Sequence, residues 1–351
     1  MKIAQVAPLF ESVPPKLYGG TERVVSYLTE ELIQQGHQVT LFASGDSVTR
    51  ARLRAPCARA LRLDETCHDP LDYHILMLEQ VLQEAASFDI IHFHIDYFHF
   101  PSSRRQSTPI VHTSHGRLDM PELAPLFHEF SDIPVVSISD AQRAPLFWIN
   151  WRATVYHGLP ENSYTFQASP GEYLAFLGRI SPEKQVHHAI EIARRVGMKL
   201  KIAAKIDRRD REYYQTVVEP LLADPMVEYI GEIGAEEKDR FLGQAHALLF
   251  PIDWPEPFGL VMIEALACGT PVIAYRRGSV PEVLEEGVTG FIVENLEQAV
   301  QAVGRIKHLD RGKCRRRFEQ RFSVSRMTND YLEVYQRLLA EKKPSAAVRY
   351  A

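Results

Sequence analysis

Cysteine is scarce: four residues in 351, Cys57, Cys67, Cys268 and Cys314, lie far apart and form no Cys-x-x-Cys pair. That spacing excludes a zinc ribbon and a disulfide framework, and leaves free thiols in a reducing compartment. No apolar run approaches the ~20 residues needed to span a bilayer. The start, Met1-Lys2-Ile3-Ala4-Gln5-Val6, runs straight into a strand without the basic region, long apolar region and cleavage site of a signal peptide. These absences point to a soluble, cytoplasmic protein, with at most peripheral contact at the inner membrane face. An excess of basic charge is also missing: the net charge is −5 and the pI near 6.3. That argues against nucleic acid as a partner. Gly-x-Gly-x-x-Gly occurs nowhere, which weighs against a dinucleotide-dependent dehydrogenase, and Asp-x-Asp is absent too.

What is present is a globular composition, 45% apolar and 24% charged, in a chain long enough for two α/β domains of roughly 160 residues each. Short apolar runs at 2–7, 38–43, 88–94, 110–113 and 135–138 read as strands. Helical patterns at 21–35, 72–86 and 140–148 alternate with them. A polar stretch from Glu161 to Gly171 reads as a linker, after which the alternation restarts. Strands are expected at 173–177, 199–204, 227–230, 247–251, 271–274 and 290–293. Helices are expected at 183–196, 208–222, 236–244 and 260–268. Strand–helix repetition implies parallel sheets covered on both faces. The expected fold class is α/β, with two Rossmann-like doubly wound domains facing a cleft. They span 1–160 and 161–325, and 326–351 forms a last helix packing back on the first domain, with a frayed tail from Glu341.

In open parallel sheets, ligands bind beyond the C-terminal ends of the strands, so the loops there carry the chemistry. Tyr18-Gly19-Gly20-Thr21-Glu22 opens the first helix; two glycines admit close backbone approach, and the helix N-terminus suits an anion. Gly178-Arg179-Ile180-Ser181-Pro182-Glu183-Lys184 follows the first strand of the second half. Arg179 and Lys184 there suit a diphosphate, with Ser181 as N-cap of the next helix. Glu256-Pro257-Phe258-Gly259-Leu260-Val261-Met262-Ile263-Glu264 places one acid on a loop and a second in an apolar helix. Such an acid is costly unless it finds donors, either sugar hydroxyls or backbone. The amides of Phe258, Gly259 and Leu260 stand free at that helix start. His112-Thr113-Ser114-His115-Gly116 ends a strand of the first half with His115 at its tip.

Together these segments resemble the retaining nucleotide-sugar glycosyltransferases of family 4, which have the two-Rossmann GT-B fold. The resemblance covers about residues 1 to 340. It rests on the order Gly-Gly loop, strand-end His, Gly-Arg-x-x-x-x-Lys and Glu-x7-Glu, the last with its Pro-Phe-Gly core being the most specific. It implies catalytic roles for Arg179, Lys184, Glu256 and His115. Arg179 and Lys184 would hold the donor diphosphate and stabilise the leaving group. Glu256, aided by the amides of Phe258, Gly259 and Leu260, would contact the transferred sugar, and His115 its 6-hydroxyl. Glu264 would hold the ribose, Gly19 and Gly20 the phosphate near the acceptor, and Ile230 and Gly231 the base. Front-face attack needs no protein nucleophile, and none is evident. No metal and no cofactor beyond the nucleotide-sugar co-substrate are expected. UDP-glucose is the first choice of donor and GDP-mannose the competitor; the acceptor would be a saccharide or lipid-linked saccharide. One departure is His157, where many relatives carry Asn.

Other features invite weaker readings. His92, His94 and His99 suggest a metal, but His92 and His94 lie two apart on an apolar strand without completing ligands, so a satisfied pair is expected. Arg50, Arg52, Arg54, Arg59 and Arg62 could meet anionic lipid, against a solvated basic face. The run Arg311 to Arg321 reads as a solvated helix. Asp46 after the second strand could mimic a ribose-binding acid. A non-catalytic sugar-binding protein would have lost Arg179, Lys184 or Glu256, and an epimerase would lack the paired motifs.

Overall fold

The computed structural model describes residues 1–342, which fall into two compact units. The first comprises Met1–Ile138, Arg143–Gly158 and the described residues from Val324 on; the second comprises Ser139–Gln142 and Leu159–Ser323. Apart from the short excursion at Ser139–Gln142, the chain passes between units after residues 158 and 323, where the sequence suggested 160 and 325. The last helix, Val324–Lys342, belongs to the first unit. The expected tail lies, from residue 343, outside the described residues.

The first unit holds a seven-stranded sheet in the order β3-β2-β1-β4-β5-β6-β7. Its strands are β1 (Lys2–Val6), β2 (Gln38–Phe42), β3 (Arg52–Arg54), β4 (Ile90–Phe93), β5 (Ile110–Thr113), β6 (Val135–Ser137) and β7 (Trp151–Thr154). Every pairing is parallel. The inner strands are buried on both faces, and so read as unbroken apolar runs. Strands β3 and β7, absent from the sequence reading, are the sheet's edges, and their mixed polar residues give no strand period.

The second unit repeats the plan with six parallel strands in the order β10-β9-β8-β11-β12-β13. These are β8 (Tyr173–Arg179), β9 (Lys199–Lys205), β10 (Val227–Gly231), β11 (Ala245–Phe250), β12 (Val272–Tyr275) and β13 (Gly290–Val293). Leu174, Phe176, Leu200, Ile202, Leu249 and Ile273 anchor its core. In both units the strand order reverses beside the first strand, between β1 and β4 and between β8 and β11. Such switch points leave crevices at the strand ends.

Three expected helices are broken. The 183–196 helix begins as a 3-10 turn, Pro182–Lys184. It restarts at Val186 after Gln185 takes a left-handed conformation (φ 48°), and Ser181 makes no side-chain cap. The 208–222 helix divides into 3-10, α and π pieces from Arg208 to Ala223, and Pro220 within it lacks an N–H. After Asp140–Arg143, Pro145 stands in a 3-10 turn where the helix was expected to run on to 148. The basic run is also not a solvated face throughout. Arg311 is buried, and its guanidinium donates to the carbonyls of Gln167, Gly243 and Ala245 and to Thr270 Oγ1, tying the helix to the sheet.

Candidate functional site

In the second unit, the switch point brings together two motifs that are 72 residues apart in sequence. Strand β8 ends at Arg179, and the 3-10 turn after it presents Lys184. The loop after β11 presents Glu256. Lys184 Nζ forms an ion pair with Glu256 Oε2, and Trp254 Nε1 donates to the same oxygen at 2.9 Å. The ammonium lies 4.9 Å from the Trp254 ring centroid and 5.4 Å from that of Phe250. The Lys184 and Glu256 side chains are only 17% and 11% exposed. The geometry therefore couples the residue expected to hold phosphate to the one expected to hold sugar.

Arg179 is enclosed by acids: Glu183, Asp210 at 3.1 Å and Asp207 at 3.7 Å. Asp207 also pairs with Lys205 at 3.4 Å, and Lys205 stands opposite Arg179 in the β8–β9 register. Burial raises the Asp210 carboxyl above its usual range, against the pull of Arg179. Arg209 also lies 3.8 Å from Asp210, so four cations face four carboxylates before any ligand binds. Lys205, Asp207 and Asp210 escaped the sequence reading because only strand pairing places the end of β9 beside the end of β8.

The Glu256–Glu264 segment is shaped by its glycine. Gly259 precedes the helix Leu260–Ala267 with φ 77°, and an added Cβ would meet Met262 Cε at 2.9 Å and the Phe250 ring at 3.1 Å. The Phe258 side chain is core, packed edge-on to Phe322 at 6.1 Å, so only its backbone is left for a ligand. Glu264 is buried and accepts from Tyr164 Oη at 2.9 Å and Lys238 Nζ at 2.8 Å. Both of these donors are side chains, and Lys238 adds an ion pair. A further loop buttresses the segment unannounced by sequence. Ser279 N donates to Glu256 O at 3.0 Å, and Ser279 Oγ donates to Phe258 O at 2.8 Å. Ile230 and Gly231 end the edge strand β10; Ile230 is exposed, and Gly231 has φ 77° with open space around it.

In the first unit, Gly19 caps the 15-residue helix Gly20–Gln34; a Cβ on it would meet Pro15 Cβ at 2.7 Å. Gly20 is exposed at the helix start. Beside it Glu22 is buried, and desolvation pushes its carboxyl up to about 7. His115 follows β5, with Nε2 2.8 Å from His94 Nδ1 and its ring stacked on His157 at 5.3 Å. The metal reading finds no support in the geometry. His92 is held by Tyr335 and Thr113, His94 by Gln5 and His115, and His99 by Ser103 and His112. Among the described residues no group of three His, Cys, Asp or Glu is placed to hold a metal ion. Asp46 accepts from Ser44 Oγ and the Ala60 amide, a local structural role.

Burial lowers the imidazoles of His92, His94, His99 and His157 well below 6.5, and those of His112 and His115 to about 3. The unfolded chain binds these protons first. The stabilisation is therefore intact above pH ~6.5 and declines as pH falls toward 3, by about 1.4 kcal/mol per pH unit for His112 alone. Thermal melts should show Tm falling steeply from pH 6.5 to 4.5. A flat profile there would contradict the neutral histidine cluster.

The arginine-rich segment is neutralised by acids. Arg50 pairs with Glu30 at 2.6 Å and Arg54 with Glu84 at 2.6 Å, with Arg52 at 3.6 Å from the same Glu84. Arg59 pairs with Asp64 at 3.1 Å and Arg62 with Glu11 at 2.8 Å. It offers little net charge to an anionic surface. No helix among the described residues is long and apolar enough to cross a membrane.

Comparison with known proteins matches both units. The model for Glycosyltransferase Family 4 matches residues 18–158, and that for glycosyl transferases group 1 matches residues 165–322. An uncharacterized glycosyltransferase of Methanocaldococcus jannaschii is 23% identical over 339 residues, covering 84% of this chain and 85% of its own. A solved glycosyltransferase involved in avilamycin A biosynthesis has TM-score 0.74 at 24% identity, over 97% of this chain and 98% of that one. Anabaena HepE in complex with UDP and glucose has TM-score 0.75 at 18% identity, over 96% and 100%. The chain belongs to the group 1 glycosyl transferases of glycosyltransferase family 4 and is built on the GT-B fold.

Proposed function

We propose that this glycosyltransferase is a retaining, metal-independent hexosyltransferase. It would move glucose from UDP-glucose to a saccharide or lipid-linked acceptor in polysaccharide or glycoconjugate synthesis. The Lys184–Glu256 pair at the β8–β11 switch point carries the reading. On donor binding, Lys184 turns from Glu256 to the diphosphate, and Glu256 is released to accept from hexose hydroxyls. Arg179 joins Lys184 in stabilising the charge that develops on the leaving phosphate, the task a divalent cation would otherwise take. Glu264 takes the ribose hydroxyls, the amides of Phe258, Gly259 and Leu260 the remaining oxygens, and Ile230–Gly231 the base. Gly19 and Gly20 approach the phosphate near the acceptor, and His115 meets a hydroxyl of the hexose. The acceptor oxygen bonds to the anomeric carbon on the face that the phosphate leaves, and its proton passes to that phosphate. The UDP and glucose held by Anabaena HepE support UDP-glucose over GDP-mannose.

Thermal shift with UDP-, GDP- and ADP-sugars in EDTA, followed by anomeric analysis of the product, tests this. UDP-glucose at a hundredfold excess over Kd should add about 2.7 kcal/mol of stability, chelator or not, and the product should keep the donor's anomeric configuration. Strict Mn²⁺ dependence, an inverted anomer, or a response to GDP-mannose alone would each overturn the corresponding clause.

A further inference from the structure

Seven side chains of the first unit form one chain of hydrogen bonds that ends on His115. Tyr331 Oη lies 3.1 Å from Thr113 Oγ1, which lies 2.7 Å from His92 Nε2. His92 Nδ1 is 2.7 Å from Tyr335 Oη, to which Gln5 Nε2 donates at 3.1 Å. Gln5 Oε1 is 2.8 Å from His94 Nε2, and His94 Nδ1 is 2.8 Å from His115 Nε2. Six of the seven are fully or almost fully buried, and the His115 ring is partly exposed.

Burial keeps the three imidazoles neutral, so each has one N–H and one lone pair. The direction of one hydrogen bond then sets the direction of the rest, and the Gln5 amide fixes that direction. Its oxygen faces His94 Nε2, so that nitrogen carries the proton and His94 Nδ1 is a lone pair. His115 Nε2 must donate to this lone pair, which leaves His115 Nδ1 as an acceptor. On the other arm the amide nitrogen donates to Tyr335, Tyr335 to His92, His92 to Thr113 and Thr113 to Tyr331. Turning the amide over would reverse all six bonds and make His115 Nδ1 a donor. That Nδ1 is shielded from solvent and has no hydrogen-bond partner, a cost that a ligand hydroxyl would relieve.

We infer that Gln5 and His94 are positioning residues that fix which nitrogen of His115 is protonated, so that His115 meets a sugar hydroxyl as an acceptor only. The inference rests on the proposed contact between His115 and the donor hexose. An acceptor-only nitrogen takes a hydroxyl proton and repels a carboxylate, so the site favours a hexose over the matching uronate.

Long-range ¹H–¹⁵N correlation of the histidine rings in the full chain, assigned with His115→Gln, tests the lock together with donor kinetics. Wild-type His115 should show a bare Nδ1. In Gln5→Leu, His94 loses its acceptor; His115 should become a mixture of tautomers, and KM for the hexose donor should rise about tenfold. Gln5→Glu, whose carboxylate still accepts from His94 Nε2, should restore both. A wild-type His115 protonated on Nδ1, or a Gln5→Leu spectrum unchanged at His115, overturns the inference. A tautomer shift without any change in KM supports the lock and overturns the hexose contact instead. Should Gln5→Leu not fold, the wild-type tautomer alone decides.

Discussion

Lys184→Ala is expected to lower kcat/KM for transfer by about 10³-fold while the chain stays folded. Lys184 is held between Glu256 and the faces of Trp254 and Phe250, in a place with little water. A cation there acts on a departing phosphate with little screening, and no neutral side chain replaces it. Stability should move in a separable way. Without Lys184, Glu256 keeps the neutral Trp254 Nε1 donor but loses its counter-charge. A half-emptied buried pair costs up to about 3 kcal/mol. Glu256→Gln in the same chain removes the stranded charge, so the double variant should recover Tm but not activity. Recovery of activity in the double variant would reduce Lys184 to a structural partner of Glu256. Full activity in Lys184→Ala alone would remove it from the mechanism. Lys184→Arg is a poor substitute, because a planar guanidinium cannot occupy the same point between the two rings.

Much of this site could be read from the sequence, for local reasons. Pro257-Phe258-Gly259 ahead of an apolar helix specifies a turn that only glycine can make, and the structure puts Gly259 at φ 77° there. Gly178 to Lys184 spans the end of β8 and the turn after it, and its place at a strand end is legible from periodicity alone. What stayed hidden depends on pairing between distant segments. Nothing near Lys205 marks it as the neighbour of Arg179; the parallel register of β9 on β8 does. Nothing in Arg311 distinguishes it from Arg316, yet one is buried among carbonyls and the other is exposed. The histidines were visible as a cluster, but the hydrogen-bond direction depends on Gln5, 87 residues before His92. The broken helix at Gln185 was missed because a left-handed residue other than glycine or asparagine has no sequence signature.

The pairing of opposite charges also bears on how the donor site works. Arg179 and Lys184 are not bare cations waiting for phosphate; each is matched to carboxylates in the free protein. That matching lowers the field that would draw any free anion into the site. On the proposed reading, a donor displaces at least one carboxylate, and one that also offers sugar hydroxyls to the displaced Glu256 recovers that loss. Inorganic phosphate carries no sugar to reach the displaced Glu256, and so does not.

Gly278→Ala should remove transfer activity by about 10²-fold or more, although Gly278 carries no side chain. It sits in the loop that supports the backbone of Glu256, with φ 50°, and an added Cβ would overlap the Glu256 amide nitrogen and carbonyl oxygen. The Pro255 carbonyl carbon would lie only 2.7 Å away. Backbone cannot give way as a flexible side chain can, so either the loop or Glu256 must move. Movement of the loop breaks the Ser279 bonds to Glu256 and Phe258, and movement of Glu256 breaks its pairing with Lys184. Both routes displace the carboxylate assigned to the hexose. Gly287→Ala is the control, since Gly287 has φ 72° with nothing within 4 Å of an added Cβ. It should cost only the left-handed strain of about 1–2 kcal/mol and leave kcat unchanged. Equal activity loss in the two variants would show that backbone strain, not the contact with Glu256, is responsible. Loss confined to Gly278→Ala, with UDP still bound, would place the defect at the sugar end of the site.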